Sequence, residues 1–150
     1  MIRPWPRIAA LTTVAALGLT SCSPLEPFAY RVAGAAVELL WPVGCGGALD
    51  ELQVSASGPA QEGEDSDLRV WHIEATGDPV EIPDSTALRI GQAPDGFEVV
   101  VDLEAPLDPE RQYHGYADIE GSELTDGGRW GISFTPEHLD GDWSDEPYEC

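Results

Sequence analysis

Downstream of Pro27 the apolar residues recur at every second position in short runs, and glycine, proline and aspartate separate the runs. Phe97, Val99, Val101 and Leu103 alternate with Glu98, Val100, Asp102 and Glu104, which predicts a strand with the first four on the core face. Residues 129–134 repeat the pattern with Trp130, Ile132 and Phe134 inward, and 52–56 do so around Val54. Residues 68–75 read as a strand that buries Trp71 and Ile73; the opposite register would bury Val70 and His72. The alanines of 28–43 allow a helix. Alternation of Val37, Leu39, Trp41 and Val43 favours two short strands hinged at Gly34-Ala35, with Pro42 ending the pairing.

Ser57-Gly58-Pro59, Gly77-Asp78-Pro79, Pro94-Asp95-Gly96 and Asp126-Gly127-Gly128 mark the turns. Each supplies a glycine able to take positive φ or a proline that cannot join a ladder. Seven or eight short strands in about 110 residues is the spacing of an all-β, antiparallel two-sheet sandwich. Leu107, Pro109 and Tyr113 sharpen this, because their spacing resembles the corner of fibronectin type III domains. The resemblance implies an immunoglobulin- or fibronectin-like sandwich in which the Tyr113 hydroxyl bonds back to the preceding loop. Gly115, Ala117 and Ile119 would then continue inward, and His114, Tyr116 and Asp118 outward. Such a fold hosts many unrelated roles and implies no activity.

The N-terminal residues follow another rule. Arg3 and Arg7 precede an uncharged apolar run from Ile8 to Leu19. This is the pattern of a secretory signal, and the run is shorter than the roughly 20 residues of a membrane span. It ends at Leu19-Thr20-Ser21-Cys22, which resembles the lipobox of bacterial lipoproteins. The resemblance implies cleavage before Cys22, acylation of its thiol, and an anchor on the extracytoplasmic face of a bacterial membrane. The chain thus divides into a signal peptide (1–21), a lipidated tether (22–27) and a sandwich domain with an acidic C-terminal segment (28–150). With Cys22 lipidated, Cys45 and Cys150 remain as a pair in an oxidising compartment, and a disulfide between them is expected. No second cysteine stands near Cys45 at metal-ligand spacing.

Charge narrows the partners. The chain carries 28 acidic residues against seven basic ones, all arginine, for a net charge of −21. Loss of Arg3 and Arg7 with the signal takes this to −23. Phosphate binding needs a basic stripe, so nucleic acid is excluded as a partner. A protein carrying a basic patch is the partner such a field steers.

Catalytic signatures are lacking. Gly131-Ile132-Ser133-Phe134-Thr135 fails as a nucleophile elbow at its last position. Gly44-Cys45-Gly46-Gly47 is followed by no lysine and reads as a turn at the disulfide. His72, His114 and His138 have no partner at ligand spacing and are expected on the surface or on edge strands. No cofactor and no enzymatic activity are therefore expected. Asp140, Asp142 and Asp145 are the candidate calcium ligands, although they lack the spacing of an EF-hand loop. Tyr116 and Trp143 are the candidate aromatic anchors of a binding surface. The leading expectation is a non-catalytic binding or accessory module, and the alternative is a calcium-dependent module built on those aspartates.

Overall fold

A computed structural model describes residues 26–57, 67–122, 124, 128–136 and 141–150. The signal segment, Cys22, His138 and Asp140 lie outside these residues. Among the described residues alternation becomes nine strands: β1 (Ala29–Ala33), β2 (Ala36–Leu40), β3 (Ala48–Ser57), β4 (Asp67–Ala75), β5 (Val80–Glu81), β6 (Ala87–Arg89), β7 (Phe97–Val101), β8 (Tyr113–Glu120) and β9 (Arg129–Phe134). They form two antiparallel sheets, one of order β1-β2-β6 and one of order β7-β4-β3-β8-β9 with β5 added to β3. The expected all-β sandwich is present. The strands beyond the expected seven or eight are the short β5 and β6, of two and three residues, too brief for any period to show.

The two-strand reading of 28–43 holds. Val32 pairs with Val37 and Ala33 with Ala36 across a two-residue turn. Gly34 sits there at φ +67°, the positive φ that a first central turn position of this kind demands. Val37, Leu39 and Trp41 are buried, and Phe28, Trp41 and Trp130 meet across the gap between the sheets with ring centroids 5.1–5.9 Å apart. Tyr30 and Tyr113 both pack on Phe134. The smaller sheet is thus stacked on β8 and β9 through aromatic contacts, each adding about 0.5–1.5 kcal/mol beyond simple area burial.

Extra residues interrupt the ladder at three places in the larger sheet. Asp50 is the extra residue of β3 against β8, Val70 that of β4 against β3, and Val100 that of β7 against β4. Each bulge resets which face the following residues occupy. Leu49 and Leu52, three apart, are consequently both buried alongside Val54 and Ala56. The single core face expected for Phe97, Val99, Val101 and Leu103 is corrected by the same effect. Phe97 is buried, whereas Val99 and Val100 are 46% and 48% exposed and Val101 and Leu103 are half-buried. β7 is also the edge strand of the larger sheet, and the opposing sheet has only three strands on its path to cover it.

The C-terminal segment is not a free tail. Ser144 N–H donates to Tyr30 O at 2.7 Å, Tyr30 N–H donates to Ser144 Oγ at 2.9 Å, and Gly141 N–H donates to Val32 O. These bonds cover the outer edge of β1, which would otherwise offer open backbone groups for pairing. Val43 N–H then donates to Tyr148 O, Cys150 N–H donates to Val43 O, and Cys45 is joined to Cys150 by the expected disulfide. The bridge spans a sequence separation of 105. The chain-entropy value of a closed loop that long is about 4–5 kcal/mol. At the corner, Asp108 N–H donates to the Tyr113 hydroxyl at 2.8 Å, the bond that the corner spacing implied.

Two outcomes follow from these contacts. Cys150→Ser lowers unfolding free energy in urea by about 4 kcal/mol, and reductant produces the same loss in the wild-type chain but none in the variant. Tyr113→Phe keeps the buried ring, removes the acceptor of the Asp108 N–H, and costs about 1 kcal/mol in the same measurement.

Candidate functional site

The polar face of the larger sheet gathers most of its chemistry into two adjacent rows. In the first, Glu98, Glu74, Glu51, Asp118 and Arg129 stand abreast on β7, β4, β3, β8 and β9, each the direct cross-strand partner of the next. In the second, Val101, His72, Gln53, Tyr116 and Gly131 do the same. Period two places both rows on one face, since 51 and 53, 72 and 74, and 116 and 118 are each two apart. The Asp50 bulge makes this arrangement: counted regularly from buried Leu49, residue 51 would point inward.

Four carboxylates side by side are electrostatically costly, because like charges directly opposite destabilise a sheet. Only one end of the row is compensated within it. Arg129 Nε donates to Asp118 Oδ1 at 3.0 Å and its Nη2 to Oδ2 at 3.4 Å. The Asp118 hydrogen bond and charge hold the guanidinium above its ordinary pKa against a small opposing effect of burial, and Glu51 adds to the same field.

His72 is the unexpected member. Expected on the surface or on an edge strand, it lies instead in interior strand β4 and is 3% exposed. The choice between burying Trp71 with Ile73 and burying His72 does not arise, because β4 buries all three. Trp71 and Ile73 fill the core while His72 is enclosed on the other face. Its Nε2 lies 2.9 Å from Glu51 Oε1 and 3.3 Å from Glu74 Oε1. Neither oxygen is aligned to accept a hydrogen bond, and among the described residues this buried nitrogen has no hydrogen-bond partner. On the other side of the ring, Arg69 Nη1 is 3.4 Å from Nδ1. An arginine can only donate, so that contact uses Nδ1 as an acceptor.

The remaining candidates fall elsewhere. Tyr116 is half-buried in the second row, beside Gln53. Trp143 is half-buried on the segment that covers β1, with the Arg31 guanidinium 4.3 Å from its ring centroid. The structure therefore does not bring these two aromatics to one surface. Asp142 and Asp145 are exposed, and Asp145 Oδ1 accepts the Glu146 N–H; their proposed co-ligand Asp140 lies outside the described residues. His114 Nδ1 is 3.0 Å from Ser133 Oγ, whose hydroxyl donates to Glu26 Oε1 at 3.2 Å. That order orients no imidazole for a serine nucleophile, because the carboxylate takes the hydroxyl instead of the ring.

Compared with protein-family models, curated proteins and solved structures, the chain gives no match. What the site does must be argued from its own geometry.

The row's electrostatics predict a salt-dependent outcome. Glu98→Gln removes the outermost charge from beside Glu74 and raises the thermal midpoint at low ionic strength. The gain closes in 1 M NaCl, where screening acts within about 3 Å. A gain that persisted in salt would assign it to packing.

Proposed function

We propose that this chain is a lipid-anchored, non-catalytic binding or accessory module on the extracytoplasmic face of a bacterial membrane. Its partner is a protein that brings a basic patch to the acidic face of the larger sheet. The observation that carries the binding reading is the row Glu98-Glu74-Glu51-Asp118, whose negative charge has one arginine within it to offset it. Charge arranged in this way raises association rates with a cationic surface and repels anionic ones.

The address rests on Leu19-Thr20-Ser21-Cys22, which resembles a lipobox, with Arg3 and Arg7 before the apolar run. The Cys45–Cys150 disulfide supports an oxidising compartment. Kinship with fibronectin type III sandwiches rests on Leu107, Pro109 and Tyr113 and on the bond from Asp108 to the tyrosine hydroxyl.

Glu26, near the end of the tether, accepts a hydrogen bond from Ser133 on the polar face. Arg129 at the end of the acidic row lies four positions back along β9, about 13 Å away at roughly 3.3 Å per residue. A six-residue tether reaches at most about 20 Å, so the anchored fold stays near the headgroups, and repulsion between its acidic row and anionic lipid disfavours that face lying flat on the leaflet.

Crosslinking on intact cells, with recovered proteins identified by mass spectrometry, tests this reading. The bait is the full chain; Cys22→Ala and the double variant Glu98→Gln/Asp118→Asn are the controls. One protein with a basic surface is recovered with the wild type and lost with both variants. Cytosolic fractionation of the wild type overturns the anchor, and recovery indifferent to the double variant overturns the acidic face.

A further inference from the structure

We infer that Glu51, His72 and Glu74 hold one divalent transition cation of the zinc class on the polar face of the larger sheet. This site does not depend on the anchor, shares Glu51 and Glu74 with the acidic row that the proposed partner would meet, and differs from the alternative calcium candidate at Asp140, Asp142 and Asp145. Among the described residues these three are the group of histidine and acidic side chains whose ligand atoms all lie within 4.8 Å of one another.

The decisive observation is the state of the His72 ring. It is 3% exposed, its Nε2 faces two carboxylate oxygens at 2.9 and 3.3 Å, and it hydrogen-bonds to neither. A buried polar atom without a partner is costly, commonly by more than a hydrogen bond is worth. The separations are those of ligands around a metal. With bonds of about 2.0–2.2 Å, neighbouring ligand atoms stand roughly 3.3 Å apart at tetrahedral angles and about 2.9 Å apart at octahedral ones. Three protein ligands leave at least one position for water or for a ligand brought by a partner.

Ligand type selects the ion. Calcium and magnesium take oxygen ligands, whereas one imidazole with two carboxylates suits zinc and its first-row neighbours. Electrostatics point the same way. Glu51 and Glu74 are direct cross-strand partners, flanked by Asp118 and Glu98, so a dication removes repulsion that the fold otherwise carries. The ring is held from both sides by β-strand backbone, since His72 pairs with Gln53 on β3 and with Val101 on β7.

Arg69 makes the inference sharp. A metal on Nε2 leaves the ring proton on Nδ1, where Arg69 Nη1, itself a donor, now sits at 3.4 Å. Binding therefore displaces the exposed Arg69 side chain, and Arg69 opposes the ion both as a charge and as a misplaced donor. Metal-binding histidines normally donate their second N–H to a carbonyl or carboxylate. Arg69→Gln puts such an acceptor at that position.

The test uses the full chain without a histidine tag, purified in detergent and stripped with chelator. Calorimetric titration with zinc gives one equivalent bound. Cobalt at the same site gives visible absorption bands, which zinc abolishes and a matching concentration of calcium does not. Glu74→Gln and Glu51→Gln each weaken zinc at least tenfold, His72→Gln abolishes the cobalt bands, and Arg69→Gln tightens zinc severalfold. Should His72→Gln fail to fold, the half-exposed Glu74 gives the deciding variant. No zinc uptake, several weak equivalents unaffected by Glu74→Gln, or an Arg69→Gln variant that binds more weakly overturns the site. The crosslinking partner can be present or absent under any of these outcomes, so the two readings fail separately.

Discussion

The phase of β3 governs both sides of this protein. β3 lies between β4 and β8, and Asp50 is one residue more than its β8 partner can match. That residue bulges out, and the strand on either side of it then presents apolar groups to the same interior. Leu49 precedes the bulge, and Leu52, Val54 and Ala56 follow it, all buried. A slip of one residue would reverse every side chain beyond it, placing Leu52 in water and Glu51 in the core. The gain from burying four aliphatic side chains, on the order of 1.5–3 kcal/mol for each of the larger ones, therefore also holds Glu51 on the polar face. The site is the reverse side of the core register.

Distribution of the arginines explains why the carboxylates on that face remain crowded. Seven cations serve 28 anions, and four of those within the fold are already engaged, while exposed Arg89 stands on β6 in the other sheet. Arg31 pairs with Glu38 and lies over Trp143, Arg111 Nε donates to Ser57 O, and Arg129 pairs with Asp118. Arg69 is spent on the far side of His72. Surface pairs of this kind contribute at most about 1 kcal/mol each, so they cannot be the reason the fold persists. Their effect is on where negative potential is left over. It is left at Glu51, Glu74 and Glu98, around an imidazole enclosed by its own sheet.

Period two was legible wherever the ladder is regular. Trp130, Ile132 and Phe134 were expected inward and are buried, and the hinge at Gly34-Ala35 became a two-residue turn. The cysteine pair was legible from parity and compartment, without any geometry. What escaped is what bulges hide. Val100 breaks the pattern of β7 from within, and the edge position leaves Val99 uncovered. His72 escaped for another reason: no spacing along the chain relates it to Glu51, because strand pairing and not sequence proximity brings them together. A histidine flanked by Trp71 and Ile73 with Glu74 two residues on was visible, but its burial on the opposite face depended on neighbours on β3 and β7. Likewise the disulfide was expected to secure the acidic C-terminal segment, but its backbone bonds to β1 were not legible, since a segment held that way needs no side-chain period of its own.

Closure of the sandwich separates the mechanical parts from the chemical ones. The C-terminal segment and the disulfide secure β1 and the exit of β2, both on the smaller sheet. The acidic rows and His72 lie on the larger sheet, on the face turned away from that closure. The bridge itself borders the larger sheet, since Cys45 lies three residues before β3 and its carbonyl accepts from Ser122 Oγ just beyond β8. Packed interiors transmit displacement, but a register set by hydrogen-bonded pairing on both sides changes only when a strand slips. β3 pairs with β4 on one side and β8 on the other along most of its length, so its register is the last to yield. The polar rows placed there keep their geometry while the edges of the fold fray, as the proposed binding face across five strands requires.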